Sequence, residues 1–172
     1  MNIDPRSKIK SILELQRLIA AAQSEGRIVV FGNGCFDLIH VGHVRYLQGA
    51  KALGDLLVVG INSDASVKII KGPDRPIHNQ VDRATVLGAM ESVDCITVFD
   101  EPDPLKLIEK VRPDVLVKGR DWEKKGVVGA DFVRSYGGKV VLAPLVEGKS
   151  STQVIEKMKS LAAKKKREGK SR

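Results

Sequence analysis

Short apolar runs alternate along the 172-residue chain with stretches in which apolar positions return every three or four residues. That alternation of periods predicts strands interleaved with amphipathic helices. The runs at 28–31, 56–61, 95–99, 115–117 and 140–142 read as strands. Helices are expected from Val41 onward, where Val44, Leu47, Ala50 and Leu53 share a face, and over a short segment ending near Lys71-Gly72. Others should span 81–90 behind a cap at Asn79, run from Asp103-Pro104 to just before Arg112-Pro113, and cover 130–136, which Gly137-Gly138 stops. A first helix over 8–23 would bury Ile9, Ile12, Leu15, Leu18, Ile19 and Ala22, with Gly26 past its end, and Ser150 or Ser151 would cap a last one. Strand runs that are apolar throughout belong in a sheet covered on both faces. The pattern therefore predicts an α/β fold: a Rossmann-like, doubly wound, parallel five-stranded sheet with helices on both faces and right-handed crossovers. Ligands of such sheets lie beyond the carboxyl ends of the strands, at the point where the strand order reverses.

Directly behind the first strand run stands GNGCFDLIHVGH, residues 32–43. The glycines read as a sharp turn, with Gly34 letting a phosphate approach the backbone. The amides that open the following helix are unpaired and carry partial positive charge, which suits an anion. His40 and His43, three apart, are expected on one helical face with both imidazoles turned to the same anion, and Gly42 between them keeps that face uncrowded. The segment points to a phosphate-handling enzyme. A dinucleotide fingerprint fits worse, because its third glycine falls on Asp37 and no acidic residue ends the second strand run. No GxxxxGK[ST] loop occurs, and with His78 the only further histidine and neither Cys35 nor Cys95 in a CxxC pair, a zinc site is not expected.

Composition narrows the setting. The length suits a single domain over 1–160, followed by a basic tail over 161–172. Of the net charge of +8, residues 157–172 supply +7, so the body is close to neutral and carries no nucleic-acid surface. Two widely spaced cysteines and no amino-terminal apolar stretch suggest a reducing cytoplasm, and no run approaches a membrane span.

Three further segments follow predicted strands. Lys68, Lys71 and Arg75 cluster on a loop expected to be flexible enough to close over a triphosphate, with Lys71 the strongest candidate for contact. Residues 117–122 read VKGRDW, and residues 147–155 read EGKSSTQVI. There Ser150, Ser151 and Thr152 at a helix start offer hydroxyls and amides together, a second anion cradle facing the first.

The pattern H-x-G-H behind the glycine turn resembles the signature of the nucleotidyltransferase superfamily of cytidylyltransferases and small adenylyltransferases. Taken with KGPDRPI, FDEPDPLKLIEKVRPDVLVKGRDW and VVGADFVRSYGGKVVLAPLVEGKSSTQVI, the chain resembles, over roughly 8–160, the adenylyltransferases of the ADP-heptose pathway. It departs from their commoner pattern where KGGDY is KGRDW and where YST or YSTT is Lys149-Ser150-Ser151-Thr152. With no sugar-kinase half in the chain, the likeness is to the single-activity form.

The resemblance implies transfer of AMP from ATP, with Mg²⁺, to D-glycero-β-D-manno-heptose 1-phosphate, giving ADP-heptose and pyrophosphate for lipopolysaccharide or other surface-glycan synthesis. Neither nucleic acid nor membrane is an expected partner, whereas pairing as a homodimer is common in the family. His40, His43 and Lys71 would be catalytic. Gly34, Cys35, Phe36, Gly42, Lys118, Arg120, Ser150, Ser151 and Thr152 would bind the nucleotide, with Cys35 and Phe36 packing the turn. Asn33, Asp37, Arg75, Asp121 and Trp122 would meet the sugar phosphate, and no residue would hold a metal. A cytidylyltransferase acting on glycerol 3-phosphate or another small phosphate is the alternative enzyme. A nucleotide sensor or nucleic-acid-binding module working through the basic tail is the alternative of another class.

Overall fold

Alternate residues of each strand feed two separate cores. Val30, Leu57, Val59, Ile61 and Val117 turn to one side of the sheet, while Val29, Phe31, Val58 and Leu116 turn to the other. The structure is a computed structural model that describes residues 4–144 and, near the carboxyl terminus, Val154, Ile155, Lys157, Met158, Ser160 and Leu161.

Five parallel strands form one sheet: β1 (Val29–Gly34), β2 (Leu56–Asn62), β3 (Cys95–Phe99), β4 (Val115–Gly119) and β5 (Lys139–Ala143), in the spatial order β3-β2-β1-β4-β5. The first core is covered by α2 (Val41–Lys51) through Leu47 and Ala50 and by α4 (Gln80–Gly88) through Ala84 and Leu87. The second is covered by α1 (Ile12–Ser24), α5 (Leu105–Val111) and α6 (Ala130–Ser135). The doubly wound α/β sheet expected from the alternating periods is the fold observed. The order reverses between β1 and β4, so the crevice of interest lies past Gly34 and Gly119.

Several expected boundaries shift for local reasons. The first helix begins at Ile12 rather than at 8, because Ser11 and Glu14 close a capping box there, and a 3₁₀ turn at Pro5–Lys8 precedes it. Leu18 is 41% exposed and Leu53, beyond the end of α2, is 37% exposed, so neither joins the core. The helix at 81–90 is Gln80–Gly88, capped as expected by Asn79 Oδ1, which accepts from the Val81 and Asp82 amides. Gly32 and Gly34 make no turn at all, since β1 runs through both. Gly32 is needed for close approach: a Cβ there would stand 2.6 Å from the Tyr46 hydroxyl, which donates to the Val117 carbonyl oxygen at 2.9 Å and so docks α2 across β1 and β4.

The leading edge of the sheet uses a repeated device. Asp55, just before β2, accepts the Ile28 amide at 2.8 Å; Asp94, just before β3, accepts the Leu57 amide at 2.6 Å; Asp114, just before β4, accepts the Val29 amide at 2.8 Å. Each aspartate thus takes up an amide at the start of a neighbouring strand, and those of Val29 and Leu57 would otherwise be buried without a partner.

Two substitutions test this construction. Asp114→Ala strands the Val29 amide, which is fully buried, and is expected to lower unfolding free energy by about 1–3 kcal/mol in urea titrations. Gly32→Ala should cost about 1–3 kcal/mol by overpacking against Tyr46, and the cost should shrink when Gly32→Ala is made in a Tyr46→Phe background.

Candidate active site

Helix α2 opens with two imidazoles where helices ordinarily place a hydroxyl or carboxamide. His40 is the residue before the first turn, in extended conformation, and its Nδ1 accepts the Gly42 amide at 3.1 Å. His43 reaches back, and its Nδ1 accepts the His40 amide at 3.4 Å, so the two rings form a reciprocal capping box. The expectation that both sit on one helical face is therefore corrected: His40 is the cap and only His43 lies in the helix. The rings nevertheless stack at 3.9 Å between centroids.

The hydrogen bonds decide the chemistry of the pair. A neutral imidazole whose Nδ1 accepts a hydrogen bond carries its proton on Nε2. Burial, and then the neighbouring His40, lower the His43 pKa from 6.5 to about 4. At neutral pH His43 is thus an uncharged donor through Nε2, suited to a phosphate oxygen but not to supplying a proton.

The turn that precedes the pair is made by Phe36, not by the glycines. Phe36 takes a left-handed conformation, φ 48°, at a strain of about 1–3 kcal/mol for a side chain of this kind. Its buried ring compensates by packing over Gly34, where a Cβ would meet it at 3.1 Å, and beside the His43 ring at 5.2 Å. The Gly34 Cβ direction is filled by this ring.

Four cations lie within electrostatic reach of the Cys35 thiol at that turn: Lys71, Arg83, Lys118 and Arg75. They oppose, without cancelling, the effect of burial, which pushes the thiol pKa up. Lys71 is exposed at the end of α3 (Asp64–Lys71) and is followed by Gly72, φ 100°. Lys68 is exposed on the same helix, so both lysines precede the loop to which they had been allotted. Lys118 spans the reversal point, donating to the Asn33 carbonyl at 3.1 Å and to Asn33 Oδ1 at 2.9 Å, while its ammonium stands 4.8 Å from the Trp122 ring centroid. Arg120, Asp121 and Trp122 form a 3₁₀ turn beyond β4, with Arg120 exposed and the Lys125 ammonium 5.7 Å from the Trp122 ring centroid.

The loop expected to be flexible is pinned. The Asp37 carboxylate, 1% exposed, accepts Arg75 Nε at 2.5 Å, the Ile77 amide at 2.7 Å and the His78 amide at 3.1 Å. Arg83 on α4, a residue the sequence reading passed over, is fully buried and donates to the Cys35 carbonyl at 2.6 Å, the His78 carbonyl at 3.0 Å and Asp64 Oδ1 at 2.8 Å. Its helical spacing with Leu87, on the buried face of α4, was the available signal of a buried cation needing partners.

The structure thus gathers Asn33, Gly34, Cys35, Phe36, Asp37, His40, Gly42, His43, Arg75 and Lys118 at the carboxyl edge of β1 and β4, with Lys71 in electrostatic range. Ser150, Ser151 and Thr152 lie outside the described residues.

Residues 31–159 match the family described as cytidylyltransferase-like. The protein from Trichlorobacter lovleyi named bifunctional protein HldE is 52% identical over 155 residues, which is 90% of this chain and 32% of that one. Its namesake from Geobacter sulfurreducens is 53% identical over 152 residues, 88% of this chain and 31% of that one. The chain therefore spans about a third of the length of these relatives. Among solved structures, a lipopolysaccharide core biosynthesis protein from Thermoplasma volcanium superposes with a TM-score of 0.58 at 28% identity, covering 72% of this chain and all of that one. A pantoate-beta-alanine ligase from Francisella tularensis shares the fold, with a TM-score of 0.59 at 17% identity over 79% of this chain and 66% of that one. With the histidine box at the sheet's reversal point and a family match over residues 31–159, the chain belongs to the cytidylyltransferase-like family.

Proposed function

We propose that the chain transfers AMP from ATP to D-glycero-β-D-manno-heptose 1-phosphate, releasing pyrophosphate and giving ADP-heptose for lipopolysaccharide or other surface-glycan synthesis in the cytoplasm. The single observation that carries the chemistry is the reciprocal His40–His43 cap, in which both Nδ1 atoms accept backbone amides at a helix start and His43 is left neutral with its proton on Nε2. The choice of sugar rests on the extended motif likeness over 8–160 and is supported by the solved neighbour named for lipopolysaccharide core biosynthesis.

In this reading an oxygen of the sugar phosphate attacks the α-phosphorus of ATP in line, and the bond to the bridging oxygen breaks as pyrophosphate leaves. The attacking oxygen is already ionised, so no general base is required, and the site's task is positioning and charge stabilisation. His40 and His43 donate from Nε2 to the phosphate oxygens at which charge gathers. Lys71 meets the leaving or attacking oxygens, and Ser150 to Thr152 meet the β- and γ-phosphates. Lys118, Arg120 and Trp122 border the nucleobase and sugar. Among the described residues no group of three His, Cys, Asp or Glu side chains is arranged to hold a metal, and Asp37 is occupied by three donors. Mg²⁺ would accompany the triphosphate in this reading and neutralise part of its charge when bound.

His43→Ala is expected to lower kcat by about 10²-fold or more, as for removal of one preorganised donor, and unchanged turnover would remove His43 from the mechanism. Parallel assays with ATP and CTP decide the nucleotide, with preference for CTP overturning the adenylyl assignment. The low pKa of His43 also has a stability consequence. Between about pH 6.5 and 4 the unfolded chain binds a proton at this residue and the folded chain does not, so stability should fall as pH drops through that window. In His43→Asn that share of the slope should vanish, read as the difference between the two proteins' urea midpoints across the window.

A further inference from the structure

Two buried residues of opposite charge hold one loop from two sides. Asp37 grips it through Arg75 Nε and the amides of Ile77 and His78, while Arg83 takes the carbonyl of His78 and also the carbonyl of Cys35, two residues before Asp37. Arg83 is anchored in turn to Asp64 at the start of α3, the helix whose last residue is Lys71. Neither side chain has an opening toward solvent: that of Asp37 is 1% exposed and that of Arg83 not at all. A carboxylate already carrying three hydrogen bonds, two of them short, has little capacity left for a substrate hydroxyl.

We propose that Asp37 and Arg83 are positioning residues, a clamp that locks the 72–79 loop onto the Cys35–Asp37 turn before any substrate arrives. Arg75 is thereby held in register with the histidine pair. Its Nε is spent on Asp37, and its two terminal amino groups have no hydrogen-bond acceptor among the described residues, which leaves them for a phosphate. This assignment rests on the reading of the cleft as a nucleoside triphosphate site, and it moves Asp37 from acceptor contact to scaffold.

Hydrogen exchange on the full chain without nucleotide tests the clamp directly. The Ile77 and His78 amides should be protected in the free protein and gain little on adding a non-hydrolysable ATP analogue, whereas fast exchange that slows only with nucleotide overturns the proposal. Asp37→Asn and Arg83→Lys should each release those amides, leave β1 protected, and lower kcat/KM for the triphosphate by about 10²-fold, mainly through KM. The double variant Asp37→Asn, Arg75→Gln should lose no more than about threefold beyond Asp37→Asn alone, because both act through one group. Multiplicative losses, or a fall in kcat with loop protection intact, would mean that Asp37 touches the reactants. Should either variant fail to fold, the exchange pattern of the unmodified protein still decides. A lack of turnover with heptose 1-phosphate would sink the choice of sugar while leaving the exchange result to stand or fall by itself.

Discussion

The start of α2 must satisfy its own amides and, in the proposed reaction, also receive a polyphosphate, and one type of side chain meets both demands. Three other helices carry the usual caps: Ser11 opens α1, Ser63 opens α3 and Asn79 opens α4. An aspartate before α2 would satisfy the amides and repel the triphosphate. A neutral imidazole accepts on Nδ1 and donates on Nε2, so it closes the helix and passes the helix's positive end outward. The cap departs from the ordinary preference at a helix whose start faces the site, as expected where function overrides local stability. Phe36 and Tyr46 are best understood as its supports: one tightens the turn against the His43 ring, and the other fixes the helix to the sheet through Val117.

The two ends of the sheet carry opposite chemistry, which aims the site. Asp55, Asp94 and Asp114 sit at the amino edge, where they absorb strand-opening amides. At the carboxyl edge Lys71, Arg75, Arg83 and Lys118 converge, with Arg75 paired to Asp37 and Arg83 to Asp64. A body near neutrality thus gathers four cations where the strand order reverses. An anionic substrate is drawn to one end without the protein needing a strongly basic surface.

The sequence was most legible where structure is local. The strand at Cys95–Phe99, the cap at Asn79 and the helix start at Pro104 follow from periodicity, hydroxyl or amide side chains and proline geometry within a few residues. The histidine motif announced phosphate chemistry, yet its glycines were misread, because the demand on Gly32 comes from Tyr46, fourteen positions on, rather than from a turn. The left-handed Phe36 could not be foreseen, since a bulky residue adopts that conformation only when packing around it enforces the choice. Asp37 looked like a ligand for substrate because nothing nearby in sequence claims it. Its partners lie 38 to 41 residues away. The aspartates at the amino edge were invisible for the same reason, bonding across 27, 37 and 85 positions.

The proposed transfer, with no covalent intermediate, puts a premium on where the charges stand before substrate binds. Ordering a free loop at the moment of binding costs about 1–2 kcal/mol per residue in backbone freedom, so a lid of eight residues would consume much of a nucleotide's affinity. Satisfying both faces of the 72–79 loop with a buried carboxylate and a buried guanidinium moves that cost into folding. Burying two charges is itself expensive and is offset only when each buried nitrogen and oxygen finds a partner, a condition the three nitrogens of Arg83 and both oxygens of Asp37 meet. Replacing the pair with apolar residues of equal volume would keep a core and abandon the register of Arg75 with the two imidazoles. The network is therefore better explained by the geometry it imposes on the phosphate cleft than by any stability it adds.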